Sequence, residues 1–197
     1  RQRQMCIRDR LHWMIADRTG CIAVESVADG LRVYDDPAGV LANEPPFPVQ
    51  LFALNTYAQL SPEPPVNRFA PQLPLRTYSR GMGAMGLPGD LSSQSRFVRA
   101  AFVRANSVSG DSEAESVSQL FHILRAVEQQ RGCCRLDGGA CELTLYTGCC
   151  NADRGVYYYT TYDNHRICAV RLSGAEADSA TLQTYPLQQE QDILYQN

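Results

Sequence analysis

Apolar residues recur with the short period of strands at both ends of this chain and with a helical period in the middle. Leu11, Trp13 and Ile15 alternate with His12, Met14 and Ala16, which predicts a strand with both faces largely buried. Asp17-Arg18-Thr19-Gly20 is a turn, residues 21–27 a second strand and Ala28-Asp29-Gly30 a second turn. A third strand over 31–34 is closed by Asp35-Asp36-Pro37, and 40–42 predicts a short fourth. Turns at hairpin spacing make this an antiparallel meander. It stops at Asn43, because Glu44-Pro45-Pro46 follows and proline ends a ladder.

The period then changes. Pro48 suits the first turn of a helix, whose expected inner face is Val49, Phe52, Ala53, Thr56 and Leu60. A proline-rich, irregular segment runs from Ser61 to Pro74 and enters a glycine loop, Gly81 to Gly89. Beyond it Phe97, Val98, Ala101, Phe102 and Ala105 predict a helix ending near Asn106, for which Ser92, Ser93 and Ser95 are each suited to the N-cap. Ser112 and Glu115 form a capping box for a further helix with the apolar face Val117, Leu120, Phe121, Leu124 and Val127 and Gly132 as its C′ residue. Strands are expected over 142–146, 156–162 and 166–172, with turns at 151–155 and at Asp163-Asn164. The tail after Gly174 is polar and expected to be weakly structured. Strands, then helices, then strands give an α+β fold.

Two residues stand out chemically. Arg96 lies in the first turn of a helix fed by a flexible glycine loop, where a cation is not what the helix dipole favours. Either it is a solvated first-turn residue, or it is held there to serve an anionic or thiolate centre. Asn43 ends the meander, fixed by the prolines after it. Either it is a turn residue, or its amide donates to a developing oxyanion. Gly81, Gly83 and Gly86 match GxGxxG, but no strand precedes them and no helix opens at their end, so no phosphate site is expected. His12, His122 and His165 are far apart in sequence and read as structural.

Composition narrows the class. The chain has 197 residues, 44% of them hydrophobic, and a net charge of −3, enough for one domain with a core. It has no basic stripe for nucleic acid and no apolar run long enough for a membrane span. Neither a cofactor nor a metal site is expected: none of the eight cysteines forms a CxxC. Most of those cysteines read as small buried hydrophobes in a reducing compartment, and a cytoplasmic location is expected. Residues 1–10 have no apolar period, resemble translated sequencing-adapter read-through and are set aside as foreign to the fold. Within them, Met5-Cys6 would expose an N-terminal cysteine after methionine removal, and an α-amine can serve as base for its own thiol; lying in that segment, Cys6 is expected to take no catalytic part.

Several motifs agree in order and spacing with one family. Leu11-His12-Trp13-Met14-Ile15-Ala16-Asp17, Gly39-Val40-Leu41-Ala42-Asn43-Glu44-Pro45-Pro46-Phe47, Gly86-Leu87-Pro88-Gly89-Asp90 through Ser95-Arg96-Phe97, Phe121-His122-Ile123-Leu124 and Gly155-Val156-Tyr157-Tyr158-Tyr159 together resemble the choloylglycine hydrolases, and among them the bacterial bile salt hydrolases. The resemblance implies an N-terminal nucleophile hydrolase fold, an αββα sandwich. It implies a cysteine nucleophile acting on the amide of glycine- or taurine-conjugated bile salts, and a tetrameric assembly. Penicillin V, or another N-acyl amide, is the alternative substrate within the family. By the same resemblance Asn43 matches an oxyanion-hole asparagine and Arg96 the arginine beside the nucleophile. The family's nucleophile and its first strands match nothing here, so residues 11–197 are expected to be the C-terminal portion of one such domain. An incomplete sandwich of that kind is an aggregation hazard and, taken alone, an inactive fragment.

Overall fold

The middle strand of the first sheet organises the N-terminal part of the molecule. The structure is a computed structural model describing residues 11–172 and 178–197, and it divides into two units, Arg1–Ser107 and Val108–Asn197. In the first, β1 (His12–Ala16), β2 (Cys21–Val27) and β3 (Gly30–Asp35) form an antiparallel sheet in that order. The Asp17 carboxylate closes the first hairpin, accepting from the Thr19 amide at 2.7 Å and the Gly20 amide at 3.1 Å. Gly30, at φ 112°, supplies the left-handed position of the second.

The sheet has two unlike faces. Ala23 is buried in a cluster with Ala42, Phe47 and Phe97, against which Tyr34, Val40, Leu51 and Leu54 pack. The opposite face aligns Trp13 with Val24 and Val33, and Ile15 with Ile22. The expectation that β1 is buried on both faces does not hold: Trp13 is 45% and Ile15 57% exposed. β1 is one of the two edge strands, and the core beneath Ala23 and Tyr34 does not extend to it.

Two helices build that core. α1 (Phe47–Ala53) starts after Pro46 with proline in its first turn and runs into a 3-10 turn, Leu54–Tyr57. Its buried stripe is Phe47, Gln50, Leu51 and Leu54, not the predicted Val49 and Phe52; Phe52 is 75% exposed. The helix begins one residue earlier than the proline suggests, and the i, i+3, i+4, i+7 stripe that includes Phe47 faces the sheet. α2 (Ser93–Asn106) is capped by Ser92 and buries Ser95, Phe97 and Val98. The Phe97 ring meets that of Phe47 edge-on, at 6.3 Å and 78°, and Phe47 in turn lies 6.0 Å from Tyr34.

In the second unit α3 (Glu113–Arg125) carries the predicted capping box between Ser112 and Glu115 and buries Phe121. It stops earlier than Gly132, because the amides of Ala126, Val127 and Glu128 turn to carbonyls three residues back. Gly132 (φ 94°) instead serves a later turn. A two-stranded ribbon, β4 (Cys134–Arg135) with β5 (Cys141–Glu142), precedes an antiparallel sheet of β6 (Tyr146–Asn151), β7 (Val156–Thr161) and β8 (Cys168–Arg171). The strand predicted over 142–146 is interrupted because Thr144 turns to Gln129, its amide donating to the Gln129 carbonyl at 3.0 Å and its hydroxyl accepting from the Gln129 amide at 2.9 Å. Of the tail, residues 173–177 lie outside the described residues. The rest has no regular structure and is tied to the β7–β8 region by Thr161 to the Gln188 carbonyl at 2.6 Å and by an Arg166–Asp192 ion pair at 2.6 Å.

The units combine helices with antiparallel sheets, an α+β architecture. The seven described cysteines are all free thiols. Only Cys149 is buried, so the reading of most of them as core hydrophobes fails: Cys133 lies in an exposed turn, Cys134 and Cys141 on the two-stranded ribbon, and Cys150 on an exposed position of β6. Among the described residues no helix is long and apolar enough to cross a membrane.

Candidate active site

Residues 36–46 join β3 to α1 without a ladder, so the predicted fourth strand is absent. Val40 and Leu41 pack on the core while side chains from elsewhere take up the backbone polar groups. The buried Asp36 carboxylate accepts from the Gly39 amide at 2.8 Å. Gly39 takes a left-handed conformation at φ 58° with the Arg104 guanidinium beside it, and Arg104 donates to the Ala38 carbonyl at 3.0 Å. Further on, the Phe47 amide donates to Glu25 Oε1 at 2.9 Å, the Glu44 amide to Ser93 Oγ at 2.8 Å, and Gln50 Nε2 to the carbonyls of Ala42 and Pro45. The Glu44–Pro45 peptide within this loop is cis.

The approach to α2 is fixed in a similar way. Asp90 accepts from the Ser92 amide at 2.9 Å and from the buried Ser95 hydroxyl at 2.5 Å. Hydrogen bonds from Ser92 and Ser95 hold its carboxyl down to about 2. Arg99 donates to the carbonyls of Pro88 and Asp90, and Arg96 Nε donates to the Leu91 carbonyl at 3.1 Å. The first turn of α2 therefore grips the loop that precedes it. The glycines before it serve packing: Gly81 and Gly86 take φ of 79° and 98°, and Gly83 lies against the Ser61 and Glu63 carbonyls where no side chain fits.

These two fixed segments bring Asn43 and Arg96 together. Arg96 Nη2 donates to Asn43 Oδ1 at 2.9 Å. Arg96 is thus not the solvated first-turn residue of the simpler reading: two of its guanidinium nitrogens, Nε and Nη2, are engaged. A guanidinium has donors only, so the amide oxygen faces it and the Nδ2 hydrogens are left for another acceptor. Asn43 is exposed and stands at a small cleft lined also by Leu11, His12, Glu25, Ser26 and Val27. An anionic or strongly polarised oxygen is what such a donor suits.

Of the other sequence candidates, one borders this cleft. His12 on β1 borders the same cleft, whereas His122 on α3 and His165 in a turn belong to the second unit. Cys6 lies outside the described residues. Burial, reinforced by Asp36, pushes the Cys21 thiol up, and burial does the same to Cys149; neither is poised as a thiolate. Among the described residues no group of three or more His, Cys, Asp or Glu side chains is placed to hold a metal ion.

The structure adds Glu25, Gln50, Ser93 and Asp90 to the pair. Glu25 had a signal in the sequence: it is an acid among the alternate positions Cys21, Ala23, Glu25 and Val27, the other three of which are apolar. Gln50 had none, because only the true helix start shows that it faces inward.

The profile described as linear amide C–N hydrolases, choloylglycine hydrolase family, matches residues 2–185. A bile salt hydrolase/transferase of Lactiplantibacillus plantarum is 54% identical over 180 residues, which are 91% of this chain and 56% of that protein. The crystal structure of a cysteine-to-alanine variant of the conjugated bile acid hydrolase from Clostridium perfringens superimposes with a TM-score of 0.84 at 35% identity, over 94% of this chain and 57% of that one. The penicillin V acylase of Agrobacterium tumefaciens shares the fold, with a TM-score of 0.62 at 19% identity over 82% of this chain and 45% of that one. The chain thus spans about half the length of the relatives it matches.

Proposed function

Because the chain belongs to the choloylglycine hydrolase family of linear amide C–N hydrolases, we propose that the protein carrying it hydrolyses the amide bond of bile salts conjugated to glycine or taurine. The observation that carries this reading is the 2.9 Å bond from Arg96 to Asn43. It joins the two positions that the family resemblance assigns to a reacting centre, although they lie on different elements.

The chemistry runs in two stages. The thiolate of the family's N-terminal cysteine adds to the amide carbonyl, and the α-amine takes the thiol proton. The carbonyl oxygen becomes an oxyanion, to which Asn43 Nδ2 donates while Arg96 holds the amide oxygen on the other side. Collapse breaks the C–N bond, the glycine or taurine amine leaves with the proton, and a thioester remains. Water then attacks the thioester, through a second oxyanion at the same donor, and releases the bile acid and the thiol. Arg96 adds a positive charge near the thiolate and the developing oxyanion, which favours both.

The test compares glycocholate, taurocholate and phenoxymethylpenicillin as substrates of the complete protein. Faster turnover of the bile salts supports the proposal, and faster turnover of the penicillin replaces it with an acylase. The 197-residue chain is assayed beside it with and without a thiol-alkylating agent. Turnover by the chain alone, abolished by alkylation, moves the nucleophile to a cysteine within it.

A further inference from the structure

We propose that Glu25 and Gln50 form a buried positioning device for Asn43, an inference that rests on the role given to Asn43 above. Glu25 on β2 is 5% exposed and Gln50 on α1 is fully buried. Neither borders α2. Glu25 Oε1 accepts the Phe47 amide at 2.9 Å, and Gln50 Nε2 donates to the carbonyls of Ala42 and Pro45. Ala42 immediately precedes Asn43, Pro45 follows it by two residues, and Phe47 opens α1. The backbone on both sides of Asn43 is therefore held from the core side, by groups independent of the Arg96 contact that holds its side chain.

The arrangement is not what packing alone would select. Pro45 and Pro46 have no amide hydrogen to give to a ladder, and residues 36–46 pair with no strand of the first sheet. Two buried side chains substitute for the missing ladder, and each does so at a cost: Glu25 Oε2 and Gln50 Oε1 are buried with no hydrogen-bond partner. An apolar pair would remove these two orphaned acceptors but leave the Phe47 amide and the Ala42 and Pro45 carbonyls without their partners. What the polar pair supplies instead is directional: one set of backbone orientations satisfies it, and that set places the Asn43 amide at the cleft.

The experiment substitutes each residue in the complete protein and reads two quantities. The first is the Asn43 side-chain amide signal in protein labelled with 15N-asparagine, assigned by its loss in Asn43→Ala. The second is the split between kcat and KM on glycocholate. Glu25→Ala is expected to move or broaden the Asn43 signal and to lower kcat by about tenfold to a hundredfold, with KM little changed. Glu25→Gln keeps an oxygen acceptor for the Phe47 amide and is expected to restore the signal and most of kcat. Gln50→Leu is the independent variant if Glu25→Ala does not fold, with the same expected loss. An Asn43 signal unmoved in both Glu25→Ala and Gln50→Leu overturns the positioning role, whatever happens to kcat. A signal that moves in a protein that hydrolyses no amide leaves the positioning intact and removes the activity reading instead.

Discussion

Arg96 Nη2 donates to Asn43 Oδ1 at 2.9 Å across 53 residues of chain, while Nε of the same guanidinium donates to the Leu91 carbonyl at 3.1 Å. The second bond matters to the first. It locks the guanidinium against the loop before α2, so the nitrogen facing Asn43 cannot swing away. The amide of Asn43 is then fixed both in place and in sense, oxygen toward the arginine and donors outward.

Lysine cannot reproduce that geometry, because one ammonium cannot occupy both nitrogen positions. Asn43→Ala in the complete protein is expected to lower kcat by about a hundredfold or more. Arg96→Lys, which retains the charge, is expected to lose much of that activity as well. The double variant should cost less than the sum of the two, since they act through one contact. Steady-state kinetics on glycocholate check all three, and unchanged kcat in Asn43→Ala removes the residue from the reaction.

How legible this was depends on the range of the interaction. Hairpins, caps and the α2 and α3 faces are local matters, and Asp17, Ser92 and Ser112 mark them in the sequence. The family motifs singled out Asn43 and Arg96, yet nothing local shows that the two side chains touch. α1 offers two apolar stripes, and the one that packs on the core runs through Phe47, Leu51 and Leu54 with Gln50 among them, not through Val49 and Phe52; Pro48 at the second helical position admits Phe47 to that stripe. The strand expected at 40–42 has strand-like residues, but the Ala42 carbonyl accepts from Gln50, and on either side of the segment the Ala38 carbonyl and the Glu44 amide pair with Arg104 and Ser93, side chains distant in sequence. β1 carries the pattern of a buried strand at the edge of its sheet, where no pattern tells what lies beyond.

Asp90 makes the turn into α2 sensitive to acid. Its folded pKa of about 2 lies below the ordinary 3.8, so the folded state holds the proton less tightly than the unfolded one. The stability this contributes is present above the ordinary value and is lost as pH falls through the folded value. A carboxyl 13C titration of Asp90 is expected to show a midpoint near 2, raised in Ser92→Ala and in Ser95→Ala. An unshifted midpoint means that these hydroxyls do not reach the carboxylate in solution.

Phe97 is completely buried and sits edge-on to Phe47, next in sequence to Arg96. Phe97→Ala is expected to cost about 3–5 kcal/mol by leaving a cavity at the centre of the core. Phe97→Leu, which keeps most of the volume, should cost less than about 2 kcal/mol. Urea unfolding followed by circular dichroism gives both. A small loss in Phe97→Ala means that α2 is not seated on this core.

Trp13 reports on the open face of the first sheet, since it is the single tryptophan of the chain and is 45% exposed there. Its neighbours across the strands, Val24 and Val33, extend an apolar surface of a kind that soluble monomers rarely leave uncovered. Emission from the 197-residue chain is expected to be red-shifted and readily quenched by acrylamide at low concentration. Raising the concentration should shift it to the blue and slow the quenching, as the faces of separate molecules cover one another. Trp13 cannot report on its own replacement, so Ile15→Ser supplies the control: a polar group on the same face should weaken the association and preserve the red emission at higher concentration. Blue, unquenched emission that persists on dilution means that the face is already covered within one molecule.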